Sequence, residues 1–142
     1  MGPLNTQPGI DARNNPGVWV DFVLGQLPVF VPQTCWVGFD FDGTISSNHA
    51  QVHGPPPYPL GQPIPNMIAT VKSLLAAGVT VKIFTARAND PESILPIQDW
   101  TEQHGLGMLA VTDKKDYNLL RFFDDRAIPI NYESYLRTDK RS

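Results

Sequence analysis

Cysteine is nearly missing from this chain: Cys35 stands alone among 142 residues. No intrachain disulfide can hold the fold. A lone thiol at the start of an apolar run reads as a buried structural residue, and a reducing, cytoplasmic location is expected. An excess of positive charge is also missing. Eleven Lys and Arg face fourteen Asp and Glu, for a net charge of -3. Nothing in that balance suggests a broad basic nucleic-acid surface, and a local patch stays open. Long hydrophobic runs are absent too. The apolar stretch from Val18 to Val31 is broken by Asp21, Gly25 and Pro28, so no membrane span is expected. The opening MGPLNTQPGIDARNN has neither the basic start nor the apolar core of a secretory signal. There is no internal repeat. His49 and His53 lie four apart without a third nitrogen or sulfur ligand, which speaks against zinc.

What is present is a globular composition, 42% hydrophobic and 18% charged, at a length that suits one domain with a sizeable core. Most of the fourteen prolines precede residue 66, so the first half is loop-rich. Residues 1–34 read as an N-terminal extension and 35–142 as the folded domain. Asn15 and Pro16 can open a short helix with Val18, Trp19, Phe22 and Val23 on one face. Residues 35–41 read as a strand buried on both faces, and 45–65 as a long loop. A helix is expected from Pro65, with Met67, Ile68, Val71, Leu74 and Leu75 at helical spacing and Gly78 as its stop. Strands follow at 79–85, 106–111 and 119–123. Between the first two of these, a helix opened by Asp90 and Pro91 carries Ile94, Ile97 and Trp100. Alternating strands and helices predict an α/β fold, a Rossmann-like parallel sheet flanked by helices.

In such a sheet ligands gather at the carboxyl ends of the strands. The polar clusters fall there: Asp40 with Asp42, Thr85 with Arg87, and Asp124 with Asp125. Residues i and i+2 of an extended chain point the same way, so Asp40 and Asp42 are expected to share one pocket. Crowded carboxylates need a cation or a proton, and hard oxygen donors suit Mg2+. Gly43 allows a sharp turn and lets amides approach an anion. A carboxylate can also attack phosphorus, with a neighbouring acid moving the proton.

Four segments, in order, resemble the motifs of the haloacid dehalogenase-like superfamily in its phosphatase branch. They are DFDGT at 40–44, IFTAR at 83–87, TDKKD at 112–116 and FFDDRA at 122–127. The pattern is similar to the small capless hydrolases of that superfamily, and it covers roughly residues 35–130. The resemblance implies a Mg2+-dependent phosphomonoesterase that works through an aspartyl-phosphate. Asp40 would be nucleophile and metal ligand. Asp42 would be general acid/base, with its backbone carbonyl on the metal. Thr85 would bind a phosphoryl oxygen, and Gly43, Thr44 and Ala86 would surround the phosphate. Asp124 would ligate Mg2+, with Asp125 direct or through water. The active-site lysine is Lys115 on the spacing of the T-x-x-K pattern, with Lys114 as the alternative.

The plainer readings stand beside these. Thr85 can be a helix N-cap as well as an anion ligand. Arg87 is expected to pair with an acid or the chain nearby. Tyr58 is a loop anchor or a substrate contact, and Trp19, Trp36 and Trp100 are core or covering residues. Rival functions are a phosphatase of nucleotide or nucleic-acid ends and a phosphate- or metal-binding module without catalysis. The gap from Ile45 to Thr80 holds one crossover helix and about twenty loop residues, too few for a folded cap. An open site is therefore expected, with a phosphorylated substrate large enough to cover the pocket itself.

Overall fold

The computed structural model describes residues 8–9, 11–27, 34–48 and 59–128. Helix α1 spans Pro16–Gln26 and strand β1 Trp36–Phe39. Helix α2 spans Pro65–Ala76, β2 Thr80–Phe84, α3 Ile94–Gln103, β3 Ala110–Thr112 and β4 Leu119–Phe123. The four strands form one parallel sheet in the order β3-β2-β1-β4. The protein is thus an α/β fold of Rossmann-like type. Among the described residues no second domain is inserted between the strands, and no helix is long and apolar enough to cross a membrane.

Strand β1 is central and buried at all four positions, as the continuous apolar run requires. A Cβ on Gly38 would lie 3.0 Å from the Trp36 ring and 3.3 Å from that of Phe122, so the small residue lets the aromatics close over the strand. Helix α2 begins at Pro65, whose missing amide costs nothing at a first turn, and Met67, Ile68, Val71 and Leu74 are buried. Gly78 adopts φ +86° just past the helix end, the left-handed stop that glycine allows. Asp90 caps a short 3-10 turn, accepting from the Glu92 amide and the Ser93 hydroxyl, before α3 starts at Ile94. Strands β3 and β4 lie at opposite edges of the sheet, so residues 113–118 must cross between them. The Trp36 indole donates to Asp116 at 2.8 Å and anchors that crossing.

Two expectations need correction. The third strand does not run over 106–111. The Thr101 hydroxyl donates to the Gly107 carbonyl at 2.7 Å and accepts from the Leu109 amide, which holds 105–109 as a loop, and β3 starts only at Ala110. The first strand ends at Phe39 rather than at 41. Helix α1 packs on α2, and its Val23 is fully buried among core residues.

Candidate active site at the end of β1

Past Phe39 the chain stays paired for one more residue: the Asp40 amide donates to the Phe123 carbonyl at 2.8 Å. Then it turns. The Phe41 carbonyl accepts from the amides of Thr44, Ile45 and Ser46, and Gly43 takes φ +82°. Only glycine reaches that conformation cheaply. The Gly43 amide donates to the Ser46 carbonyl at 2.8 Å. The turn therefore consumes that amide.

The turn also overrides the i, i+2 argument, because Asp42 lies beyond the strand. Its carboxylate turns to Arg87, whose Nε and Nη2 each donate to it at 2.7 Å. Both side chains are largely buried, at 23% and 5% exposed. Arg87 also donates to the Pro59 carbonyl at 2.9 Å. The expected acid partner of Arg87 is thus Asp42 itself. The carboxyl groups that do converge are those of Asp40, Asp124 and Asp125, with one oxygen from each within 4.8 Å of the others. Asp42 offers no side-chain oxygen to this group.

Thr44, expected at the phosphate, ties two of the acids, Asp40 and Asp125, together. Its hydroxyl accepts from the Asp125 amide at 3.1 Å. It can donate to Asp40 at 3.5 Å or to Asp125 at 3.4 Å, one at a time, since a hydroxyl has one proton. The acid group is electrostatically unsatisfied. Asp40 is pushed up to about 7, first by burial, then by its hydrogen bond with Asp125 and the negative charges of Asp124 and Asp125. Three hard oxygen donors whose charges oppose one another fit a small divalent cation such as Mg2+.

Thr85 is buried and accepts from the Arg87 amide at 3.2 Å, capping the 3-10 turn Ala86–Asn89. Its proton is left to donate elsewhere, so capping and anion binding remain compatible. Ala86 is exposed at the start of that turn. Neither lysine reaches the acids. Lys114 is exposed and lies 3.8 Å from Asp113, while the Lys115 amine stands 6.0 Å from the Phe122 ring centroid. His49, His53 and Tyr58 fall outside the described residues.

A feature absent from the sequence reading is a cavity of about 550 Å3 beside the acids. Gly43, Thr44, Asp124 and Asp125 form one end of it. Residues 8–9 and 11–13, Trp19 and Val23 of α1, and Arg121 of β4 form much of the rest. The only signal for Arg121 was a charge within the apolar LLRFF, and α1 carried no motif at all.

No protein-family model and no curated protein matches the chain. One solved structure similar to it is that of a conserved protein from Bacteroides thetaiotaomicron. It is 22% identical, with a TM-score of 0.48, over 75% of this chain and 90% of that one.

Proposed function

We propose that the protein is a Mg2+-dependent phosphomonoesterase of the haloacid dehalogenase-like type, acting in the cytoplasm through an aspartyl-phosphate on Asp40. The observation that carries this is the convergence of Asp40, Asp124 and Asp125 at the carboxyl ends of β1 and β4. An isolated acidic strand end would leave such charges apart, whereas here the buried Thr44 hydroxyl, bonded to the Asp125 amide, and the β1–β4 pairing draw them together.

Asp40, Asp124 and Asp125 would hold Mg2+, which supplies positive charge for the phosphoryl oxygens and keeps Asp40 ionised. An oxygen of Asp40 attacks phosphorus, the ester P–O bond breaks, and the departing oxygen takes a proton. Water then attacks the phosphorus, gives up a proton, and the bond to Asp40 breaks to release phosphate. Asp42 is the group for both proton movements, once its pairing with Arg87 opens. Thr85 donates to a phosphoryl oxygen. Lys115 would have to swing from Phe122 to reach the phosphate.

The clamp on Asp42 and the distant lysine favour a second reading, a phosphate- or metal-binding module without turnover. Phosphate release from p-nitrophenyl phosphate by the purified chain separates the two. Release that needs Mg2+, stops in excess EDTA and is lost in Asp40→Asn supports the enzyme. Mg2+ binding without release supports the module.

A further inference from the structure

The cavity beside the acids is larger than a phosphate group requires and lies in the usual size range of small-molecule sites, roughly 300–1,000 Å3. It is continuous with Thr44, Asp124 and Asp125. A phosphoester placed on Asp40 has room there for its alcohol portion. The walls are largely apolar, with Ala12, Trp19, Val23 and Phe123 among them.

Arg121 is the exception. Its Nε is buried and bonds to nothing. One Nη turns back to the carbonyl of Leu120 at 2.9 Å, and the guanidinium lies 5.3 Å from the Phe22 ring. No carboxylate of the described residues pairs with it. Asp40 does not use it either, since the charged and hydrogen-bonding groups acting on it are Asp125, Asp124 and the Phe41 amide. The other cation on the cavity, Arg13, already has Asp11 at 3.6 Å. A partly buried guanidinium without a counter-charge is costly, and an anionic ligand group would match its fork.

We infer that this cavity receives the alcohol portion of the phosphoester, and that Arg121 selects alcohols bearing a second anionic group, a carboxylate or a further phosphate. The placement of the alcohol rests on the phosphatase reading given above. The anion site at Arg121 stands on the cavity and the unmatched guanidinium alone.

The test compares 4-carboxyphenyl phosphate with phenyl phosphate on the full chain in Mg2+, for wild type, Arg121→Met and Arg121→Lys. Wild type should favour the carboxylated ester in kcat/KM by about tenfold or more, as expected for a charged hydrogen bond. The preference should lie mainly in KM. It should vanish in Arg121→Met and survive in part in Arg121→Lys, which a packing role would not produce. No preference in wild type, or a preference that Arg121→Met leaves intact, overturns the proposal. Binding of 4-hydroxybenzoate and phenol in EDTA is measured in parallel, free of turnover and metal. If neither ester is hydrolysed, the phosphatase reading falls and this binding decides the subsite. Tighter binding of the carboxylate that is lost in Arg121→Met upholds it, and equal binding of the two ligands overturns it. Should Arg121→Met fail to fold by circular dichroism, the drop in preference in Arg121→Lys serves in its place.

Discussion

The ends of β4 and β2 each bring charge to the end of β1, with opposite results. At β4, Asp124 and Asp125 crowd Asp40 with charge of its own sign, and Asp40 rises to about 7. At the turn after β2, Arg87 meets Asp42 with two hydrogen bonds of 2.7 Å. Two aspartates two residues apart thus differ completely in their electrostatic needs. Asp42 is already matched and supports the fold. Asp40 is held by the fold in a place it would not choose, which is how binding sites store free energy for a ligand.

Neutralising each aspartate is the sharpest way to break that comparison. Asp40→Asn should lower phosphate release at least about a thousandfold, since the nucleophile is gone. In EDTA at pH 8 the same variant should be more stable than wild type, by about 1–2 kcal/mol, because like-charge repulsion is removed. Asp42→Asn should instead lose about 2–4 kcal/mol by leaving Arg87 buried without its charge partner. Thermal melts of the three proteins check this. Equal destabilisation by both substitutions would mean that the two sites are not electrostatically different.

A smaller effect is expected at the lysines. Lys115→Ala should reduce kcat/KM about tenfold to a hundredfold, as removal of one charged contact to a phosphoryl group does. Lys114→Ala, whose amine lies near Asp113 in solvent, should change it little. The reverse order would assign the role to Lys114, and no effect from either would favour the binding module.

The pH dependence of the metal-free protein gives a further measure. Asp40 is raised in the folded state, so between about pH 4 and 7 the folded chain holds a proton that the unfolded chain has released. Its stabilising contribution is complete below the unfolded value and is lost as pH rises through about 7. The difference in stability between wild type and Asp40→Asn in EDTA should therefore grow over that range. Solvent screening keeps the change on the order of 1–3 kcal/mol. Mg2+ competes with that proton. Its stabilisation of wild type, read as a shift in Tm, should be greater at pH 8 than at pH 5.5. Ca2+ should bind yet inhibit, through its looser coordination. A pH-independent Mg2+ shift would remove Asp40 from the ligand set.

Much of this was legible because the signals are local. Pro65 and Gly78 bound α2 through backbone conformation alone, and Asp124 follows β4 directly in the chain. What escaped depended on tertiary contacts. The pairing of Asp42 with Arg87 needs the turn at Gly43, which no strand periodicity contains. The late start of β3 depends on the Thr101 hydroxyl, eight residues before the Leu109 amide. The cavity exists because α1 folds back over the end of β4, and nothing in residues 16–26 names that destination.

Thr44 offers the finest test of the comparison, because it belongs to the crowded side yet carries no charge. Its hydroxyl oxygen accepts the Asp125 amide, and its proton serves Asp40 or Asp125. The residue is 4% exposed. Thr44→Val keeps the shape and removes both bonds, leaving the Asp125 amide without that partner. A cost of about 1–2 kcal/mol is expected from one lost hydrogen bond and one unsatisfied donor. Thr44→Ser keeps the hydroxyl and should recover most of it. The two variants should also part in Mg2+ affinity. With Val, the carboxylates lose the group that orients them, and binding should weaken about tenfold, as it does when support around metal ligands is removed. With Ser it should stay near wild type. Calorimetric titration with Mg2+ and chemical unfolding in EDTA measure the two effects separately. If Val weakens stability but leaves Mg2+ affinity intact, Thr44 holds the turn and not the acids. If neither property changes, the crowded acids are held by the β1–β4 pairing alone.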